Sequence, residues 1–273
     1  EDPISNRPFW ATFTSPVANG NILARGTAAN RIVFKAPNTS TRWGNIKVNW
    51  NQRTSDIQYC DFERGTTALA FDIDGETVEA VQTLVVTIKG ASFQDCNQAA
   101  IYGRSRGYVI NRLDTPRYNT TLRIDVVGCK VRNTPRSIWL RTDGFATGGR
   151  VGQGRASLSM SGTTHDTVTT AILTEETEHS GASDGKIHNN VFSNCSATAL
   201  DLKPTFDFSV RNNIFANCKV GVKRTGTTSS QVGFNCFHNT QTQFSGYPSG
   251  FGTVAMNNAN GTPCDVAFNI FEN

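Results

Sequence analysis

Lys203 and Arg224 are the first pair of residues whose type and spacing could carry out chemistry. Lys203 follows the segment Leu200–Leu202, and Arg224 ends a similar segment 21 residues further along the chain. Removing a proton next to a carboxylate requires a base, a proton donor for the leaving oxygen and positive charge near the carboxylate. A lysine and an arginine on neighbouring repeats can supply these functions. The alternative is that both cations belong to a solvated face.

Arginine and aromatic residues are interleaved between positions 102 and 141. A guanidinium can bind a carboxylate or a sulfate through two parallel hydrogen bonds, and aromatic rings can serve as platforms for sugar rings. Alternation along a strand also points Lys223, rather than Arg224, outward. We therefore predict a cationic groove for an acidic polysaccharide, with scattered surface arginines as the alternative. The predicted binding residues are Arg132, Arg136, Trp139, Arg141 and Lys223.

Acidic residues suggest two further sites. Asp72 and Asp74 alternate on one predicted strand and would share a face, as a pair of carboxylates does in glycoside hydrolysis. Two aspartates that only solubilise the surface are the simpler interpretation. A second acidic group has the oxygen ligands that calcium prefers, although a solvated charge run explains it more simply. That group is Glu175, Glu176, Glu178 and Asp184. We predict no metal site and no required cofactor, with calcium as the one cation to consider.

The composition restricts what the chain binds and where it works. Its 26 Lys and Arg against 22 Asp and Glu give a net charge of +4, which is too small to indicate nucleic acid but suits an acidic polysaccharide. No run of about 18 apolar residues occurs, so we expect no membrane span. Seven cysteines indicate an oxidising compartment and a secreted or cell-surface protein. Cys236 and Cys264 are the first candidates for a disulfide, whereas Cys195 and Cys218 form either a bridge or a small apolar stack.

Internal repetition is the strongest pattern in the sequence. Three similar segments each contain an asparagine and, two residues later, a phenylalanine, and the phenylalanines are separated by 23 and 22 residues. If successive coils stack, these positions form an aromatic column inside and an asparagine column at a bend. The many Val, Ile and Phe residues favour strands over helices. The repeated positions are Asn190, Asn213 and Asn235, and Phe192, Phe215 and Phe237.

This repeat resembles that of the right-handed parallel β-helices of the pectate-lyase-like superfamily, over roughly residues 20–273. We therefore predict an all-β fold, a single-stranded right-handed parallel β-helix or solenoid, with about 22 residues in each coil. One domain is expected over residues 1–273, with residues 1–19 as an irregular N-terminal or capping segment. Loops predicted at residues 143–155 and 174–184 would build the walls of a groove.

The segments around Lys203 and Arg224 are similar to alginate lyases and chondroitinase-B-like β-helix enzymes. In those enzymes a lysine on one coil and an arginine on the next carry the reaction. The resemblance implies that Lys203 is the base and that Arg224 is the acid or neutralises the substrate carboxylate. Thr225 stands where those enzymes have a histidine, and Ser196 and Thr198 lie where their calcium-binding carboxylates are expected.

Two other functions fit the same sequence. A non-catalytic surface protein or adhesin would bind glycans or partner proteins, and the missing calcium-binding carboxylates favour it. A purely structural module would act as a spacer or filament subunit and could self-associate through the ends of the solenoid. An unsaturated sugar product would identify a lyase, whereas glycan binding without turnover would identify an adhesin.

Overall fold

A computed structural model describes residues 17–18, 21–49, 54–74, 82–109, 117–147, 150–225, 231–247, 266–267 and 270–272. Every regular element in these ranges is a β-strand. Nearly all strands pair in parallel with a strand one coil later, so the chain forms a parallel β-helix with three faces, as the repeat predicts. Most of the predicted capping segment, residues 1–19, lies outside the described residues.

The strands are numbered in chain order, and two of the faces consist of short or medium strands. Face 1 contains β2 (Leu23–Arg25), β5 (Thr54–Gln58), β8 (Gln82–Lys89), β13 (Thr120–Val127), β15 (Arg150–Ser161), β17 (Ser183–His188), β20 (Phe206–Arg211), β23 (Gln231–Gly233) and β26 (Val266–Ala267). Face 2 contains β3 (Ile32–Lys35), β6 (Cys60–Glu63), β9 (Ser92–Gln94), β18 (Val191–Ser193), β21 (Ile214–Ala216), β24 (Cys236–His238), β27 (Ile270–Glu272) and the first residues of β14 (Lys130–Thr147) and β16 (Thr164–Glu176).

The third face, which we call the long face, carries the candidate functional residues. It contains β1 (Val17–Ala18), β4 (Ile46–Asn49), β7 (Thr67–Asp74), β10 (Ala99–Arg106), the remainder of β14 and β16, β19 (Thr198–Leu202), β22 (Val220–Arg224) and β25 (Thr242–Ser245). Beyond its end, residues 144–147 of β14 pair antiparallel with residues 150–153 of β15, and we call these two segments the β14–β15 pair. A second antiparallel pair joins β11 (Tyr108–Val109) to β12 (Arg117–Tyr118).

An aromatic column fills the interior behind face 2. Phe192 stacks on Phe215 with ring centroids 5.0 Å apart, and Phe215 stacks on Phe237 at 4.7 Å. The ring planes are nearly parallel, and the three side chains have no exposed surface. Burial of these rings removes a large apolar area from water, and their mutual stacking adds to that stabilisation. The predicted aromatic stack is therefore confirmed.

The coils differ in length more than the sequence repeat suggests. Phe215 and Phe237 are register partners 22 residues apart, as predicted. Phe62 and Phe93 are partners 31 residues apart, and Phe93 and Val131 are 38 residues apart. In the latter coil the additional residues lie between the long face and the next strand of face 1, where the corner has no fixed length.

The other two corners each turn on a single residue with positive φ. This left-handed conformation costs least for glycine and is tolerated by asparagine and aspartate, which explains much of the recurring Asn and Gly. Between faces 1 and 2 these residues are Tyr59, Gly90, Gly128, Gly162, Asn189, Asn212 and Phe234. Between face 2 and the long face they are Arg64, Asp95, Asn133, Thr167, Asn194, Asn217 and Asn239.

A buried column of asparagines follows the first corner. Oδ1 of Asn213 accepts hydrogen bonds from the backbone N and from Nδ2 of Asn190, both at 3.0 Å. Oδ1 of Asn235 accepts the same two bonds from Asn213 at 2.9 and 3.0 Å. The backbone N of Thr163 donates to Oδ1 of Asn190 at 3.0 Å, which extends the column by one coil. The predicted asparagine ladder is confirmed, and it satisfies backbone donors that would otherwise be buried without partners.

His165 occupies a position of the aromatic column that a phenylalanine fills in the next three coils. Its ring lies 4.8 Å from the ring of Phe192 and almost parallel to it, and the side chain has no exposed surface. Neither ring nitrogen has a hydrogen-bond partner among the residues that the structure describes. Burial lowers the pKa of His165 to about 3, because the charged imidazolium would lose its hydration.

His165→Phe is expected to raise the free energy of unfolding by about 1–3 kcal/mol, because the buried imidazole nitrogens lack partners. The gain should grow as the pH falls from about 6.5, the ordinary pKa of histidine, towards 3, since the unfolded wild type takes up a proton that the folded state excludes. Urea denaturation at several pH values measures both effects. His238→Phe, at an exposed position of face 2, is the control and should change little. A pH-independent gain would contradict the proposed cause.

Most cysteines are buried and unbridged. Cys60, Cys96, Cys129, Cys195 and Cys218 are free and buried, and burial raises the pKa of Cys60, Cys96 and Cys129 to about 11. Such thiols are poor nucleophiles, so these residues act as small apolar side chains. The predicted Cys236–Cys264 disulfide involves Cys264, which lies outside the described residues. Nor do the described residues include a helix long and apolar enough to cross a membrane.

Candidate functional site

The long face presents an aromatic pair on two adjacent coils. Tyr102 of β10 and Trp139 of β14 are register partners, and their rings meet edge to face with centroids 4.9 Å apart. The guanidinium of Arg136 lies over the Trp139 ring, 4.7 Å from its centroid. Both aromatic side chains are partly exposed, because alternation along the strands turns their neighbours Ile101 and Ile138 into the core. The pair forms an accessible apolar surface beside a cation.

Two residues further along the same strands, an arginine cluster gathers around one carboxylate. Asp143 accepts hydrogen bonds from Nε of Arg104 at 2.7 Å and from Nε of Arg141 at 2.9 Å. Nε of Arg106 lies 4.0 Å from the same carboxylate, whose side chain is only 8% exposed. The hydrogen bond to Asp143 raises the pKa of Arg141, so the Arg141 guanidinium stays protonated. We call Arg104, Arg106, Arg141 and Asp143 the arginine cluster.

The predicted acidic pair also lies on the long face, but both carboxylates contact cations. Asp72 and Asp74 are register partners of Arg104 and Arg106 on the next coil. Asp74 lies 3.1 Å from Nη1 of Arg106, and Asp72 lies 3.2 Å from Nζ of Lys47. The pair therefore belongs to a network of ion pairs around the arginine cluster.

Lys203 and Arg224 lie on adjacent coils but are offset along the strands. Arg224 pairs with Leu202, and the backbone N of Thr225 donates to the Leu202 carbonyl at 3.0 Å. The guanidinium of Arg224 lies 5.4 Å from the centre of the Tyr247 ring. Lys203 begins a tight turn in which its carbonyl accepts from the backbone N of Phe206 at 3.0 Å. Main-chain pairing thus makes the two cations neighbours without aligning them.

Lys223 and Arg132 have different surroundings from the other predicted binding residues. Lys223 lies on the long face, three coils from Trp139, and its Nζ contacts Oδ2 of Asp201 at 3.0 Å. Arg132 lies on face 2, because the chain turns at Asn133 before it reaches the long face. There Arg132 approaches Asp166 at 3.8 Å, beside a hollow of about 500 Å³. The structure therefore brings together Arg136, Trp139 and Arg141 and separates Arg132 from them.

The acidic residues considered for calcium do not converge. Asp184 lies on face 1, whereas Glu175 and Glu176 end the long-face part of β16. Glu176 accepts hydrogen bonds from the backbone and hydroxyl of Thr205 and so closes a turn. Among the described residues, no three His, Cys, Asp or Glu side chains are grouped as a metal site.

The β14–β15 pair, residues 144–147 and 150–153, lies at the end of the long face next to the arginine cluster. Phe145 of this pair stacks on Tyr108 at 5.2 Å, and 46% of Phe145 is exposed. The backbone N of Gly107 donates to the carbonyl of Asp143 at 2.9 Å, which ties the base of the β14–β15 pair to β10. Within the loop predicted at residues 143–155, residues 144–147 and 150–153 are therefore paired strands, and they carry a second aromatic contact.

The corner after face 2 carries an exposed chain of amide side chains that was not predicted from the sequence. Asn239 donates to Asn217 at 2.8 Å, Asn217 to Asn194 at 3.4 Å, and Asn194 to Asp166 at 2.7 Å. The bond from Asn194, with a second from Ser193, lowers the pKa of Asp166. An asparagine two residues after each phenylalanine of the repeat could have predicted this chain of amides.

Comparison with known proteins gives no further assignment. No protein-family model matches the chain, and the curated proteins contain no match to it.

Proposed function

We propose that the long face binds an acidic polysaccharide in a secreted or cell-surface setting. The aromatic pair Tyr102–Trp139, with Arg136 over it and Arg141 two residues further along the strand, is the observation that carries this proposal. An aromatic surface can pack against the apolar side of a sugar ring, and a guanidinium can pair with its carboxylate. The repeat and the parallel coils also support membership of the pectate-lyase-like superfamily, whose members include polysaccharide-active enzymes.

The arginine cluster supports this function because its cations are already oriented. Asp143 binds Nε of both Arg104 and Arg141, and a guanidinium has five N–H donors. Holding Nε in this way fixes the plane of each guanidinium while other donors remain for a ligand. A side chain that is ordered before binding loses less entropy on binding, so a preformed cluster favours affinity.

Trp139→Ala is expected to weaken binding of polygalacturonate, alginate or chondroitin sulfate by about 10- to 100-fold, because a central aromatic contact is lost. Calorimetric titration of the three polysaccharides, with neutral dextran as a reference, measures the change. Ile214→Ala is the matched control, since Ile214 is 45% exposed on face 2. Equal affinity in Trp139→Ala and the wild type would refute binding at the long face.

Arg136→Gln tests how much positive charge contributes to binding without disturbing the fold. Its guanidinium contacts Trp139 rather than a carboxylate, so its loss leaves no unpaired carboxylate. We expect it to reduce affinity for the acidic polysaccharides and the salt dependence of binding, with little change in thermal stability. Arg211→Gln on face 1, where Arg211 bonds Gln231 at 2.7 Å, removes the same charge elsewhere. The proposal requires the first variant to have the larger effect.

β-Elimination is the second candidate, favoured by the position of Lys203 and Arg224 at the ends of neighbouring strands. Lys203 would take the proton next to the uronate carboxylate, and the bond from the sugar to the glycosidic oxygen would break. Arg224 would neutralise that carboxylate or donate the proton with which the oxygen leaves. The reaction leaves an unsaturated sugar that absorbs ultraviolet light. Product from the wild type and none from Lys203→Ala would support a lyase. Binding without product in either protein would identify a non-catalytic glycan-binding protein.

A further inference from the structure

Face 1 carries a second hollow, on a different side of the β-helix from the aromatic pair. Its volume is about 540 Å³, and it crosses strands β13, β15, β17, β20 and β23. Small side chains form its floor, because Ser157 and Ser159 point outward from β15 and Ser209 from β20. Longer side chains around this floor supply the walls. They are Arg123, Asp125, Asp184, Lys186, Asp207 and Gln231.

Gly185 lies between the outward residues Asp184 and Lys186 beneath the hollow, and its side-chain position faces the core. A Cβ atom on Gly185 would lie 2.1 Å from the carbonyl oxygen of Leu158, so no other residue fits without a shift of the backbone. On the inner side, the ring of Phe208 occupies the space where a side chain would project, 2.9 Å from that Cβ position. A glycine is therefore required at this position of the backbone beneath the hollow.

Four of the five charged side chains around this hollow have no partner in the part of the chain that the structure describes, in contrast to those of the long face. The side chains of Arg123, Asp125, Asp184 and Lys186 make no hydrogen bond or ion pair with any other described residue, whereas Asp207 has a partner. Asp72, Asp143 and Asp201 on the long face, by comparison, each contact a cation. Hydrogen-bonding groups that no protein partner occupies are available to a ligand.

The charges also indicate what kind of ligand fits. Arg123 and Asp125 alternate on β13, and Asp184 and Lys186 alternate on β17, so each cation has a carboxylate two residues away. Asp207 adds a third carboxylate to these two cations, so the hollow does not attract a polyanion. It offers donors and acceptors side by side, as the hydroxyl groups of a neutral sugar require. Serine hydroxyls between them add groups that can both donate and accept.

We propose that this hollow is a second carbohydrate-binding site, specific for a neutral, hydroxyl-rich oligosaccharide. The outward positions repeat at the strand spacing of roughly 4.8 Å, which is about the length of one pyranose ring in a chain. An oligosaccharide lying along the helix axis would therefore meet equivalent positions on successive coils. Asp125 and Asp184 accept hydrogen bonds from its hydroxyl groups, and Arg123 and Lys186 donate to them.

Titration with four neutral probes tests the site: cellohexaose, xylohexaose, mannohexaose and laminarihexaose. We expect at least one to bind and Ser159→Trp, which fills the hollow, to weaken that binding at least about tenfold. Ser161→Trp is the matched control, because it places the same side chain two residues along β15, beyond the residues that line the hollow. It should bind like the wild type, and thermal melting confirms that both variants fold.

The long face provides the second control. Trp139→Ala should leave binding of the neutral probe unchanged, and Ser159→Trp should leave binding of polygalacturonate unchanged. Failure of all four probes to bind would overturn the second site, as would equal binding by Ser159→Trp and Ser161→Trp. Loss of neutral-sugar binding in Trp139→Ala would place that binding on the long face and would also overturn it.

Discussion

Phe215→Ala is expected to lower the free energy of unfolding by about 3–5 kcal/mol, which makes it one of the two most damaging single substitutions considered. Phe215 lies between Phe192 and Phe237 in the aromatic column, with centroids 5.0 and 4.7 Å away, and has no exposed surface. Removing the ring leaves a cavity and breaks two stacking contacts. Chemical denaturation of the purified variant measures the loss.

Ile214→Ala is the control for this change, because the neighbouring side chain points outward and is 45% exposed. Coils of a solenoid contact mainly their neighbours, so the damage should be local. Hydrogen exchange should quicken in β20–β25 before it quickens in β5–β10. If Phe215→Ala costs no more than Ile214→Ala, or if protection falls evenly along the chain, the aromatic column does not stabilise the coils in this way.

Asp143→Asn should produce the second large effect, a loss of about 2–3 kcal/mol. A fully buried ion pair that loses one partner costs roughly 3–5 kcal/mol, and here Arg104 and Arg141 remain 20% and 38% exposed, which reduces the penalty. The amide keeps the shape of the carboxylate but cannot compensate the arginine charges. Thermal melting at low and high salt measures the change, since screening should reduce the repulsion among the arginines.

Asp74→Asn is the matched control on the same face. Asp74 forms an ion pair with Arg106, and 28% of its side chain is exposed, so a weaker effect is expected. Equal losses for the two variants would mean that Asp143 does not organise the arginine cluster. Unchanged thermal stability of Asp143→Asn at low salt would also mean that Asp143 does not organise the arginine cluster.

The columns that build the fold could be predicted from the sequence because their chemistry repeats. A stacked coil places the same residue type at the same position, so Phe192 and Phe215 reveal the aromatic column, and Asn190 and Asn213 reveal the amide ladder. His165 belongs to the same column but carries no such signal. Its register with Phe192 follows from the pairing of β16 with β18, which only the coordinates show.

The candidate site could be predicted only in part. The interleaving of Arg and aromatic residues grouped Trp139 with Arg141, and both side chains point outward from β14. Arg132 was grouped with them by proximity in sequence, yet the single-residue corner at Asn133 turns it onto another face. Asp143 was not selected at all, since its partner Arg104 is 39 residues away in the chain. When coils differ in length, the spacing of two residues in the sequence does not predict whether they contact each other.

The corner between the long face and face 1, which has no fixed length, is where this chain can accept insertions. It spans three residues between Leu202 and Phe206 but 13 between Arg106 and Thr120. A one-residue insertion at either of the corners that turn on a positive-φ residue would shift the following strand by one position and turn its core side chains towards solvent. New segments grafted at the variable corner leave the hydrogen-bonded stack intact. Because that corner borders the long face, exchange of these segments could give related proteins new ligand selectivity on an unchanged scaffold.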